Sequence, residues 1–149
     1  MKNFNNYLLN TVKIQVNQND GVNFIALTES GHEIAMDGAA EVGGRNQGAR
    51  PMEVVLAGLG GCSAIDVMLI LNKSRQEVSN CEIVITAERA DTLPKVFTKI
   101  HLFYRVSGKQ LDSRKVERAI SLSMEKYCSV TKMLEKTAAM SFASEIIQA

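Results

Sequence analysis

Between Val54 and Leu71 the only overtly polar residues are Ser63 and Asp66. A run this apolar has to be hidden by something, because an exposed patch of that size exceeds what a monomeric soluble surface carries. Its length approaches that of a membrane span, but Asp66 near the middle would be costly in lipid and Glu53 stands at its entrance. Gly58, Gly60 and Gly61 allow another backbone to approach closely. The run therefore predicts a central helix buried on nearly all sides.

The rest of the chain is compatible with such a core. Its 149 residues are 46% hydrophobic, which suits a single domain over 1–149. The net charge is +1 with the two signs interspersed, which argues against nucleic acid or an anionic membrane as partners. Tryptophan is absent, so a base-stacking platform is not expected either. Three cysteines, an odd number, and a start Met1 to Tyr7 without an apolar stretch point to a cytoplasmic chain with free or redox-active thiols.

The first part reads as a β-meander. Val12, Ile14 and Val16 alternate with polar residues, a period that buries one face of a strand. Asn19-Asp20-Gly21 signals a tight hairpin turn. Asn23 to Thr28 and His32 to Met36 supply two further strands, separated by Ser30-Gly31 and closed by Asp37-Gly38. Residues 38 to 50, with four glycines, Arg45 and Arg50, read as a mobile, positively charged loop. Pro51 suits the first turn of the apolar helix and Glu53 its positive end.

In the second part, strands are predicted over Glu82 to Arg89 and Val96 to Val106. Along the latter, Val96, Ile100, Leu102, Tyr104 and Val106 share one parity. Asp112 can cap a helix, with Leu111 and Val116 as a hydrophobic staple. Val116, Ala119, Ile120, Ser123, Met124 and Tyr127 then form an amphipathic stripe. A shorter helix follows Ser129, and a strand closes the chain from Ala139 to Ile147. This order, βββ-α-ββ-αα-β, predicts an α+β fold in which antiparallel sheets pack around one long helix.

The thiols have unlike settings. Cys128 precedes a helix start, where unpaired N–H groups favour a thiolate. Cys62 sits mid-helix among leucine and valine, where a thiol stays protonated unless a cation is supplied; Arg45, Arg50 or Arg75 are candidates. Cys81 reads as structural, since free cysteine is mostly a buried small hydrophobe. His32 suits a turn-edge hydrogen bond and His101 a solvated strand face. They share no metal-ligand spacing with each other or with a cysteine, so no zinc site is expected and no cofactor motif is present.

Four stretches together carry a family resemblance: Ser30-Gly-His-Glu-Ile-Ala-Met-Asp-Gly38, Pro51-Met-Glu-Val-Val-Leu56, Gly60-Gly-Cys-Ser-Ala-Ile-Asp-Val67 and Glu125-Lys-Tyr-Cys-Ser-Val130, which Met133-Leu-Glu-Lys136 continues. The chain resembles the osmotically inducible protein C (OsmC) and organic hydroperoxide resistance (Ohr) superfamily, most of all its YhfA-like branch. The resemblance implies an OsmC-like fold and an intertwined homodimer with thiol sites at the subunit interface. It also implies a thiol-dependent peroxidase acting on small apolar organic hydroperoxides. Cys62 would attack the peroxide and become a sulfenic acid, Cys128 would resolve it as a disulfide, and a dithiol would reduce the pair.

Two positions depart from the hydroperoxidase pattern. The first hairpin reads Asn17-Gln-Asn-Asp-Gly21 and lacks the arginine that stabilises the thiolate there. The acid that pairs with that arginine directly after the helix-starting proline is replaced by Met52, with Glu53 one residue later, a rotation of about 100°. Glu53 is carried as the site acid, and Arg45 or Arg50 as the substitute cation. The alternative class is a non-catalytic relative that binds a small ligand or senses redox state through its thiols.

Overall fold

The computed structural model describes residues 11–149; the reading of Met1 to Tyr7 lies outside the described residues. The chain has the α+β architecture and the element order that the sequence predicts. Its contacts divide it into two compact units, Met1–Val55 and Leu56–Ala149.

The first unit is built on a three-stranded antiparallel sheet in the order β1 (Ile14–Asp20), β2 (Asn23–Thr28), β3 (Glu33–Met36). Asp20 pairs with Asn23 across a two-residue turn, and Gly21 takes the left-handed φ of +56° that the Asp-Gly signal anticipates. His32 has the turn-edge role expected of it: its Nδ1 lies 3.2 Å from Ser30 Oγ. The predicted burial of one β1 face is not met within the chain. Every β1 residue is exposed, Ile14 at 54% and Val16 at 53%, because β1 is an edge strand that no described residue covers.

The glycine-rich stretch is not the free loop its composition suggests. Asp37, only 2% exposed, accepts three backbone N–H groups: Gly38 at 2.9 Å, Arg45 at 3.0 Å and Gln47 at 2.9 Å. A 3₁₀ turn, Ala40–Val42, is folded between them, and Asp37 N–H and Ala35 O bond the two backbone groups of Ala49. The Gln47 amide is the main influence holding the Asp37 carboxyl below its ordinary value, with the Arg45 and Gly38 amides and the Arg50 charge acting the same way against the cost of burial.

Helix α1 (Pro51–Lys73) has 23 residues and is long and apolar enough to cross a membrane by length and composition alone. Its buried positions are Leu59, Ser63, Val67 and Leu71, one stripe at four-residue spacing. Fully burying each of the three aliphatic members contributes about 1.5–3 kcal/mol. Burial on nearly all sides is therefore not achieved by one chain: Ile65 and Leu69 remain 62% and 58% exposed. The glycines do not admit a neighbouring backbone either. A Cβ at Gly58 or Gly61 would meet nothing within 4 Å, and one at Gly60 only Ile85 Cδ1 at 3.1 Å.

Beyond α1 lie β4 (Glu77–Arg89), β5 (Phe97–Lys109) and β6 (Ala139–Gln148), in the sheet order β4-β5-β6. β5 buries Ile100, Leu102, Tyr104 and Val106 on the predicted parity. β4 and β5 are antiparallel, but β6 joins β5 in parallel, so this sheet is mixed rather than wholly antiparallel. The helices between β5 and β6 are what permit this, because a parallel pairing needs a long crossover. The first of them, α2 (Ser113–Leu122), is capped by Asp112, whose carboxylate accepts Arg114 N–H at 3.0 Å. Leu111 and Val116 are buried, as a hydrophobic staple requires.

Candidate thiol site

Cys62 and Asp66 are four residues apart on α1, which places both on one helical face. Cys128 is brought to them by an irregularity in the opposite segment. After α2 the chain makes a π-helical turn, Ser123–Tyr127, in which Cys128 N–H bonds back five residues to Ser123 O at 2.8 Å. The wider turn moves Tyr127 off the predicted stripe, leaving it 49% exposed, and turns Cys128 fully inward. Cys128 then caps α3 (Ser129–Leu134): Thr131 N–H donates to its sulfur at 3.4 Å. As a result the two sulfurs of Cys62 and Cys128 and a carboxylate oxygen of Asp66 all lie within 4.8 Å of one another.

The electrostatics invert the expectation for Cys128. Burial pushes its thiol above the ordinary value, and the neighbouring Cys62 acts in the same direction; the bonds from Thr131 oppose this without overcoming it. A helix start therefore does not make Cys128 the reactive thiol. Cys62 is half-buried and the more accessible of the pair. Cys81, also half-buried, has its thiol raised by burial and lines an apolar cavity of about 420 Å³ with Ile65, Met68 and Leu69.

A buried chain of hydroxyls supports Asp66, and the sequence reading gave none of its members a place in the site. Tyr104 OH lies 2.6 Å from Ser63 Oγ, Ser63 Oγ 2.8 Å from Ser123 Oγ, and Ser123 Oγ donates to Asp66 Oδ2 at 3.2 Å. An ionised carboxylate only accepts, and each hydroxyl has one proton. Ser123 Oγ also lies 3.4 Å from the Ser63 carbonyl oxygen; with its proton on the nearer Asp66 oxygen, Ser63 donates to Ser123 and Tyr104 to Ser63. Burial pushes the Tyr104 hydroxyl up to about 12, so it stays a donor. No buried side-chain polar atom among the described residues lacks a partner. The signal available in the sequence was the spacing of Cys62, Ser63 and Asp66 on one helix.

Arg45, Arg50 and Glu53 have their partners in the first unit, whereas Arg75 follows the end of α1 with a left-handed φ of +57° and enters no ion pair among the described residues. Arg45 pairs with Asp20. Arg50 donates from its guanidinium to Gly48 O at 3.2 Å and Asn46 Oδ1 at 3.3 Å. Glu53 accepts Arg50 N–H at 2.8 Å, the reciprocal half of a helix cap. His101 shares a hydrogen bond with Ser141 Oγ at 2.8 Å. Two thiols and one carboxylate fall short of the four ligands of a closed zinc site and include no histidine. The arrangement is suited to sulfur chemistry: one accessible thiol, one buried thiol in reach of it, and an acid beside both.

Comparison with known proteins shows the family and the fold. The family model for OsmC-like protein matches residues 44–142. Protein YhfA of Escherichia coli (strain K12) is 45% identical over 130 residues, covering 87% of this chain and 94% of that protein. A structure from structural genomics is 42% identical with a TM-score of 0.83, over 92% of this chain and 99% of its own. The organic hydroperoxide resistance protein OhrB of Bacillus subtilis shares the fold, with a TM-score of 0.61 at 18% identity over 91% of this chain and 98% of that one.

Proposed function

Because this chain belongs to the OsmC-like family, we propose that it reduces organic hydroperoxides by a two-cysteine cycle in which Cys62 attacks and Cys128 resolves. The observation that carries this reading is the approach of the Cys62 and Cys128 sulfurs to within 4.8 Å in a chain whose cysteines are all free. A half-buried Cys62 suits the thiol that meets substrate, and a buried Cys128 the thiol that resolves it. Cys62 sulfur bonds to the terminal peroxide oxygen as the O–O bond breaks, giving a sulfenic acid and an alcohol. Cys128 sulfur then displaces water from Cys62 to form a disulfide, and an external dithiol takes up the oxidation and restores both thiols.

The assembly in this reading is a cytoplasmic homodimer. The support for the dimer is the apolar surface that one chain leaves open, Ile65 and Leu69 on α1 and Ile14 and Val16 on β1. Steady-state turnover of cumene hydroperoxide with a small dithiol is the test, with hydrogen peroxide as the comparison substrate. Turnover of the organic peroxide that is faster than that of hydrogen peroxide and lost in Cys62→Ser is the expected result. No turnover would overturn the reading.

A second reading, a thiol redox sensor or small-ligand binder, draws on one observation. Among the described residues no ion pair includes Asp66, so the acid beside Cys62 brings no paired cation to the thiols. Oxidation of the pair by peroxide without sustained turnover would favour that reading.

A further inference from the structure

We propose that Asp66 is the proton carrier of this site: it takes the proton of the Cys62 thiol and returns it to the alkoxide released when the O–O bond breaks. The proposal rests on the hydroperoxide-reductase reading. It begins from a difficulty of sign. A carboxylate next to a thiol cannot stabilise a thiolate by its charge, so Asp66 does not stand in for the arginine that the first hairpin lacks. What a carboxylate can do is accept the proton as sulfur begins to attack.

The surroundings of Asp66 suit that task. Its oxygen is within 4.8 Å of both sulfurs. Ser123 occupies one acceptor position on Oδ2, which leaves the carboxylate capacity for a further proton. The chain from Tyr104 through Ser63 and Ser123 holds it in place from behind. In front, a groove of about 490 Å³ is lined by Asp66, Leu69, Ile70, Lys73, Leu122 and Tyr127. Neither cysteine is among these lining residues; the groove meets the thiols through Asp66, which lies in both. The titratable groups sharing this space are Cys62 and Cys128, Tyr104 behind, and Lys73 and Tyr127 along the groove.

The bookkeeping of the step closes without an outside acid. Cys62–SH and ROOH give Cys62–SOH and ROH: the S–O bond forms, the O–O bond breaks, and the thiol proton passes through Asp66 to the alkoxide oxygen. Sulfur is oxidised and the peroxide reduced. The same oxygen serves the second step, carrying the Cys128 proton to the hydroxide that leaves Cys62 as water when the disulfide forms. Cys128 needs that assistance more than an exposed thiol would, since burial keeps it protonated.

The test compares two reactions of Cys62 in a Cys128→Ser background, with and without Asp66→Asn. The amide keeps an oxygen for Ser123 and cannot carry the proton. Sulfenic acid formation with cumene hydroperoxide, read by dimedone trapping and peptide mass, should slow by about a hundredfold, the lower range of general acid–base assistance. Alkylation of Cys62 by iodoacetamide at neutral pH should instead become faster, because the charge opposing the thiolate is gone. A merely structural role would move both rates the same way. If Asp66→Asn does not fold, Asp66→Ser, smaller and equally neutral, carries the same comparison. Both rates falling, or neither changing, in a protein that does turn over hydroperoxide would overturn the Asp66 role and leave the reductase reading standing. A parent that alkylates at Cys62 but never reacts with the hydroperoxide would overturn the reductase reading, and the proton carrier with it.

Discussion

Asp66 follows Cys62 by one turn of α1, and its carboxylate oxygen lies within 4.8 Å of that sulfur and of the Cys128 sulfur as well. One acid therefore faces both thiols, from the helix that carries the more accessible of them. The pair on α1 is fixed by helical geometry, whereas Cys128 arrives only through the π-helical turn that precedes it.

That arrangement predicts a specific disulfide. One equivalent of organic hydroperoxide should link Cys62 to Cys128 within a chain and leave Cys81 reduced. Cys128→Ser should trap Cys62 as a sulfenic acid, or carry it on to the sulfinic state, because no resolving thiol remains. Non-reducing peptide mapping reads this directly; a Cys62–Cys81 bridge would show that the resolving residue is misassigned.

The hydroxyl chain predicts an order of stability. Tyr104→Phe removes the end of the chain and should cost about 1 kcal/mol, the net worth of one hydrogen bond. Ser63→Ala strands the buried Tyr104 hydroxyl and removes the donor to Ser123, so it should cost about 2–3 kcal/mol, near the top of the range for an orphaned buried group. Urea unfolding of the two variants measures the order. Equal midpoints would mean that the chain is not a connected unit.

Asp37 predicts the acid limb of stability. Its folded carboxyl is held below the ordinary value of 3.8 by the amides of Gln47, Arg45 and Gly38. The stabilisation is fully present above that ordinary value and is lost as pH falls through the lower folded one. Asp37→Asn should therefore destabilise the protein at neutral pH and flatten the dependence below about pH 4. Amide exchange at Arg45 and Gln47 should rise in the same variant. Unchanged exchange at both amides would remove Asp37 as the loop's anchor.

Gly58 and Gly61 give a test of the dimer whose sign is diagnostic. In one chain a Cβ at either position meets open space, so Gly→Ala should stabilise a monomer by up to about 1 kcal/mol through helix propensity. If a second copy packs on this face, the same substitutions should weaken the dimer. Sedimentation equilibrium and thermal melts at two concentrations separate the cases, and a gain in stability with no change in association would count against an interface there.

The sequence by itself determined the elements and their order. Period-2 alternation placed Ile100, Leu102, Tyr104 and Val106 on one buried face of β5, Asp20-Gly21 gave the first hairpin, and Asp112 with Leu111 and Val116 marked the start of α2. These are local effects, each governed by a few neighbouring residues, and four short motifs were enough to point to the family and to the two thiols. The tertiary structure alone decided the rest. Whether β6 would run parallel to β5 depends on where the crossover helices return the chain, which no local pattern encodes. The inward turn of Cys128 depends on a single π-helical turn, and an i, i+3, i+4 stripe is blind to one extra residue per turn. The ordering of residues 38–50 around Asp37 depends on one buried carboxylate collecting amides along the chain. Asp66 became part of the site for the same reason: a lone acid in an apolar run looks like an anomaly until Ser123 and the Cys128 sulfur, distant in sequence, are folded against it.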